Sequence, residues 1–173
     1  ALAKGTVTST SLTDEALARI NDPAGEGARA FVRRNDTRAR KLAEASDAVR
    51  AAGHVRSPLE GLPISVKDLF GIAGEVSLAG SVVLKDAEAE TADCPVVARL
   101  VAAGAVITGT TNMSEFAFSG LGINPHYGTP RNAYDRATGR IPGGSSSGAA
   151  VSVTDGMALA AIGTDTGGSI RIP

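Results

Sequence analysis

The sequence predicts an α/β fold with at least some parallel strand pairing, and three adjacent observations carry that expectation. Pro63-Ile64-Ser65-Val66-Lys67 alternates in the manner of a strand. Asp93 can cap a following helix that has Pro95 in its first turn, Val97, Leu100 and Val101 on one face, and Gly104 at its end. Ala105-Val106-Ile107-Thr108-Gly109 then forms a short β-rich run. Strand, helix and strand in that order imply an α/β architecture.

The other elements follow in chain order. Thr13 or Asp14 can cap a short helix running to Ile20, and Asn21 to Gly25 reads as a loop. Asp36 caps a longer helix over 37–52, with Ala39, Leu42, Ala45, Val49 and Ala52 at helical spacing and Gly53 as its stop. Residues 112–119 are expected as a further helix, and 120–144, rich in Gly, Pro, Asn and Arg, as a long functional loop. Residues 149–153 read as a helix under a glycine-serine turn, and 157–162 as a buried strand. No internal repeat or composition shift marks a second domain.

Composition narrows the function classes. With 173 residues, 43% hydrophobic and 20% charged, the chain can bury a core. A net charge of -1 supplies no basic field for nucleic acid or anionic lipid, so small neutral partners fit better. Aromatics at 3% argue against a base-stacking platform. The single Cys94 excludes an internal disulfide, and two histidines far apart in sequence argue against a structural zinc site; no metal or cofactor is expected. Ala1 to Gly5 lack an apolar signal core, and no run approaches the roughly 20 apolar residues of a membrane span. The expected location is cytoplasmic.

Chemistry concentrates in three segments: Gly61-Leu62-Pro63-Ile64-Ser65-Val66-Lys67-Asp68, Gly143-Gly144-Ser145-Ser146-Ser147-Gly148 and Gly163-Thr164-Asp165-Thr166-Gly167-Gly168-Ser169-Ile170-Arg171. A hydroxyl at its free pKa is a poor nucleophile and needs a base, together with donors aimed at the developing oxyanion. A glycine turn ahead of Ser169 can converge its backbone N–H groups on an anion, although a lone Gly-Gly-Ser also reads as a flexible turn or an anion-binding nest. Neither His54 nor His126 carries a catalytic signature. Lys67 can act as base only if burial lowers its pKa from about 10.4 to about 7–8. The alternative is a surface lysine at a strand end. Asp68 would oppose the shift if it were near, yet consecutive strand side chains point to opposite faces.

Taken together with Gly109-Thr110-Thr111-Asn112-Met113-Ser114-Glu115-Phe116, these ordered motifs resemble the amidase signature family of serine hydrolases, from about Thr13 to Pro173. The resemblance implies a mixed, largely parallel sheet covered by helices on both faces. It also implies a Ser-cisSer-Lys triad, with Ser169 as nucleophile, Ser145 as the bridging serine after a cis peptide bond, and Lys67 as base. By the same resemblance the N–H groups of Thr166, Gly167, Gly168 and Ser169 form the oxyanion hole. Ser146, Asp165 and Arg171 would support the network, with ordinary turn and cap roles as the alternative. Asn112 and Met113 would line the acyl pocket, with packing as the alternative for Met113.

The sequence departs from the family pattern after Ser146, where Ser147-Gly148-Ala149-Ala150-Val151 is a variant, and in length. Residues 1–173 are therefore expected to be the amino-terminal part of a single amidase signature domain. The expected partners are a small-molecule amide, the carboxy-terminal remainder of that domain in the same or a separate chain, and a second copy in a homodimer. The implied activity is hydrolysis of a carboxylic acid amide to acid and ammonia or amine. The runner-up is the glutaminase subunit of a glutamyl-tRNA amidotransferase, though the loop from Gly122 to Asn132 looks more like stand-alone amidases. A noncatalytic phosphate-binding module lacks support, since no Gly-x-x-x-x-Gly-Lys-Ser/Thr segment occurs.

Overall fold

The structure is a computed structural model that describes residues 1–173. Helix α1 spans Ser9–Asn21 and starts a turn earlier than expected, because Thr8 and Ser11 form a reciprocal capping box. Thr13 is instead buried, on a stripe with Ala16, Leu17 and Ile20 whose spacing gives the helix one apolar face. Helix α2, Gly27–Ala30, runs directly into strand β1, Phe31–Arg34. Helix α3, Asp36–Ala51, is capped by Asn35 rather than Asp36. Its buried positions are Ala39, Ala43 and Ser46, while Ala45 and Ala52 face solvent. Asp47 on α3 accepts hydrogen bonds from Ser9 N and Thr10 N, so a carboxylate on one helix caps the other.

Strand β2, Pro63–Lys67, is buried along its whole length. Helix α4, Pro95–Ala102, has Cys94 at its N-cap; Asp93, the expected cap, accepts from Ala73 N instead. Of the three apolar positions expected to face inward, Val97 is fully buried and Leu100 and Val101 are half-buried. Strand β3 runs Val106–Thr111, helix α5 Ser147–Thr154 and strand β4 Ala160–Ile162.

The sheet order is β1-β3-β2-β4, with β2 parallel to both β3 and β4 and β1 antiparallel to β3. One face carries the larger core, where Leu17, Ile20, Ala30, Phe31, Ala39 and Ala43 pack with Val106, Val151 and Met157. On the other face Val66, Ile72 and Val97 pack with Phe70, Val101 and Ile107. This is the mixed, largely parallel sheet with helices on both faces that the motifs imply. Alternation along β2 sends Val66 to the α4 side and Ser65 toward α5, where its hydroxyl meets Ser152 Oγ at 2.8 Å.

Two expected elements also differ. Residues 112–119 are not a helix but an irregular crossing with one 3₁₀ turn, Glu115–Ala117, in which Phe116 and Ala117 have positive φ. Ser114 Oγ donates to Ser119 O and Phe116 N to Ala79 O, so these backbone groups find partners outside a helical ladder. The expected buried strand over 157–162 is also shorter and more open. Met157 and Ala158 are buried but lie before the strand, and β4 is an edge strand whose Ala160 is exposed.

The long segment 120–144 is pinned at its centre. Glu26 is fully buried and accepts from Arg29 Nε and Nη2 and from Arg131 N and Nε. Burial pushes its carboxyl up, but those hydrogen bonds outweigh burial and bring it down to about 2. No helix is long and apolar enough to cross a membrane.

Candidate active site

Strand β2 ends by placing Lys67 under the turn that precedes α5. The residue is fully buried; its Nζ donates to Ser145 Oγ at 2.6 Å and to Thr164 Oγ1 at 2.7 Å. Burial pushes its pKa down from 10.5 to about 8, against the pull of the Asp165 charge in the opposite direction. Asp68 lies on the other side of the strand, where it accepts from Gly80 N at 3.0 Å. Burial raises that carboxyl to about 6. The lysine and the aspartate thus occupy separate environments despite being adjacent in sequence.

The serine loop is set by backbone contacts. The Gly144–Ser145 peptide bond is cis, and Gly143 has φ of 82°. A Cβ on Gly144 would lie 2.6 Å from Gly122 N, so only glycine admits this approach of two backbones. Ser145 O accepts from Ser114 N at 3.0 Å, and Ser146 N donates to Ser169 O at 3.1 Å. The Ser146 hydroxyl donates to Thr164 O at 3.3 Å. Ser146 therefore binds the strand exit and the turn bearing Ser169 at once.

The turn from Thr164 to Arg171 is organised around one carboxylate. Asp165 accepts from Gly168 N, Ile170 N and Arg171 N, at 3.0, 3.0 and 3.2 Å, and from the Arg171 guanidinium at 2.8 and 3.0 Å. The bonds from Arg171 and these amides hold the Asp165 carboxyl well below the usual carboxylate range. One expected oxyanion donor is thereby corrected: the Gly168 N–H is engaged by Asp165, leaving Thr166, Gly167 and Ser169 as the amides without an intrachain acceptor. These three residues line a cleft of about 400 Å³ together with Phe118, Ser119 and Gly120. The Ser169 side chain opens on the cleft and makes no hydrogen bond to Ser145 in this structure.

Asn112 and Met113 do not line that cleft. Asn112 is fully buried, donating through Nδ2 to Arg29 O at 2.8 Å and Gly128 O at 2.6 Å and accepting Met113 N on Oδ1. Its amide nitrogen ties the end of β3 to α2 and the long loop, while Oδ1 serves the next residue's amide. Met113 is fully buried too, with its side chain close against Gly80. His126 pairs with Glu115 at 3.2 Å away from the lysine, and His54 is exposed beyond α3. No group of three or more His, Cys, Asp or Glu side chains converges in a way that could hold a metal ion. Thr164 is the site residue that sequence reasoning passed over. Its only sequence signal is its place two residues after β4, in the same run as Asp165.

A largely parallel sheet thus ends with a buried lysine of lowered pKa against a serine hydroxyl, beside a turn with unengaged amides. The chain belongs to the Amidase family, whose match covers residues 11–173. It is 45% identical over 172 residues to AtzE, the 1-carboxybiuret hydrolase subunit of Pseudomonas sp. (strain ADP), covering 99% of this chain and 37% of that protein. It is 46% identical over 173 residues to a glutamyl-tRNA(Gln) amidotransferase subunit from Cupriavidus necator, covering 100% of this chain and 33% of that protein. Among solved structures, native peptide amidase from Stenotrophomonas maltophilia superposes with a TM-score of 0.85 at 40% identity, covering 98% of this chain and 35% of the peptide amidase. The chain spans about a third of the length of the relatives it matches.

Proposed function

We propose that the protein is an amidase that cleaves the C–N bond of a carboxylic acid amide through an acyl-enzyme on Ser169. The observation that carries this reading is the 2.6 Å contact between Lys67 Nζ and Ser145 Oγ, made by a lysine whose burial favours the neutral amine. Neutral Lys67 takes the Ser145 proton as Ser145 takes that of Ser169, and the Ser169 oxygen attacks the amide carbonyl. Catalytic hydrogen bonds of this kind often tighten only when substrate binds, which accommodates the open Ser169 side chain. The oxyanion accepts from Thr166, Gly167 and Ser169 N–H, in a turn already fixed by Asp165. The proton held by Lys67 then returns through Ser145 to the departing nitrogen, and water releases the acid from Ser169.

We take residues 1–173 as part of one larger catalytic domain. The relatives are about three times as long, and β4 has a free edge beside exposed Val153, Leu159, Ile170 and Ile172. Further polypeptide covering that side would close the cleft and select the amide. Identity to the hydrolase and to the amidotransferase is nearly the same, 45% and 46%, so the shared chemistry, amide C–N cleavage, is the reading adopted. Ammonia release from a panel of aliphatic, aryl and peptide amides and glutamine tests it in the intact protein. Turnover that disappears in Ser169→Ala is expected. Turnover undiminished in that variant overturns the reading, and release from glutamine alone, dependent on added partner proteins, favours the amidotransferase.

A further inference from the structure

The lysine has a second hydroxyl partner that the serine motifs do not announce. Thr164 lies where the chain leaves β4, and its side chain turns back to meet Lys67 Nζ at 2.7 Å. We infer that Thr164 is a positioning residue whose Oγ1 fixes one N–H of the Lys67 amine so that the nitrogen lone pair faces Ser145. This rests on the reading of Lys67 as base and Ser169 as nucleophile given above.

The argument starts from valence. A neutral primary amine carries two N–H bonds and one lone pair, and it rotates about its Cε–Nζ bond among three staggered positions. Only one of these aims the lone pair at a given neighbour. Lys67 has two hydroxyl oxygens within hydrogen-bond distance, Ser145 and Thr164, and it is buried away from water that could supply others. If Ser145 is to give a proton to Nζ, the amine must direct an N–H elsewhere, and Thr164 Oγ1 is the acceptor available.

The threonine is itself held independently of that bond. Its carbonyl accepts from Ser146 Oγ, so removing the side-chain hydroxyl leaves the backbone tie to the serine loop in place. Its neighbour Asp165 instead gathers the amides of Gly168, Ile170 and Arg171. One dipeptide at the strand exit therefore sets the base through its first residue and the nucleophile turn through its second.

The charged groups around the amine are few. Asp165, paired with Arg171, raises the lysine's affinity for a proton, and Asp68 points to the other face of β2, held by Gly80 N. A hydroxyl acceptor stabilises the ammonium as well as orienting the amine. Its removal should both slow the reaction and move the ascending limb of the pH profile, set by deprotonation of Lys67, to lower pH.

The test is the pH dependence of Ser169 labelling by a fluorophosphonate in the intact protein, compared among wild type, Thr164→Val and Thr164→Ser. Thr164→Val is expected to slow labelling by about 10- to 100-fold, the scale of one hydrogen bond to a charged group, with its midpoint at lower pH. Thr164→Ser is expected to restore the wild-type midpoint and most of the rate. If Thr164→Val does not accumulate as folded protein, Thr164→Ala reads the same two quantities. A valine or alanine variant that labels at the wild-type rate, or slows with an unchanged midpoint, overturns the positioning role. Wild type that takes no adduct on Ser169, or Lys67→Ala that labels like wild type, overturns the underlying serine–lysine reading and the role of Thr164 with it.

Discussion

The Lys67 side of the candidate site is sealed and the Ser169 side is open: Lys67, Ser145 and Ser147 are fully buried, whereas Thr166, Gly167, Ile170 and Arg171 are exposed. The two sides also use different physics. Lys67 acquires its lowered pKa from burial, which requires the sheet, α5 and the serine loop to be packed around it. The turn bearing Ser169 is shaped mainly by local hydrogen bonds that converge on Asp165, with one tie from Ser146 N to Ser169 O. A lysine whose pKa is lowered by desolvation depends on the whole core, while a turn gathered largely by one carboxylate can be shaped locally.

The largest expected effect comes from removing the sealed partner. Lys67→Met should lower the rate of Ser169 labelling by about 10³-fold, within the range for loss of a positioned general base. Because it also removes a buried amine, melting of the variant should be no lower than wild type. A large loss of both rate and stability would mean that the lysine is principally a structural donor. The wild-type rate should rise with pH through about 8, where Lys67 becomes half neutral. The stability sign follows from the same shift. Between about 8 and 10.5 the unfolded chain binds a proton that the folded chain lacks, so this group's contribution to stability rises with pH across that window and is lost as pH falls through 8.

Breaking the open side should cost less. Asp165→Asn removes the ion pair with Arg171 and weakens three amide contacts, with an expected loss of about 10- to 100-fold in labelling rate. Since the Asp165 charge raises the Lys67 pKa, the midpoint should also move to lower pH. A rate unchanged by this substitution would contradict the account of how the turn is held.

A smaller and purely structural effect is expected at the join between the two sides. A Cβ on Gly148 would fall 2.2 Å from Ala30 O, where α5 packs directly on backbone. Gly148→Ala should therefore destabilise by about 1–3 kcal/mol, read as a lower Tm. The smallest effect concerns Asp68. Its folded pKa of about 6 lies above the ordinary 3.8, so the stability it contributes is present below about 4 and lost as pH rises through 6. Asp68→Asn should flatten the pH dependence of Tm across that window, and a profile parallel to wild type would argue against the buried carboxyl.

Much of this frame was legible in the sequence. Strands β2 and β3 and helix α4 follow from alternation, apolar spacing and a proline start, all local signals. Strand β1 was not, because Phe31-Val32-Arg33-Arg34 carries two arginines whose place is set by distant partners, Arg33 with Glu75 and Arg34 with Asn21. Residues 112–119 look helical by composition, yet Asn112 Nδ2 donates to Arg29 O and Gly128 O and Phe116 N donates to Ala79 O, so contacts with distant segments set the path of the chain. At the site, ordered motifs pointed to Lys67 and Ser145, which the fold brings into contact. They could not reveal that Asp165 takes the Gly168 amide or that Thr164 reaches the lysine, since both depend on which way side chains turn at the exit from β4.

The most direct measurement is fluorophosphonate labelling of the intact protein, with the modified residue located by peptide mass spectrometry in wild type and Lys67→Met. The reagent needs an activated serine and an oxyanion site but no matching substrate. The account predicts an adduct on Ser169 in wild type and its loss in the variant. An adduct on another serine, no adduct in correctly folded intact protein, or equal labelling of Ser169 without the lysine would contradict it.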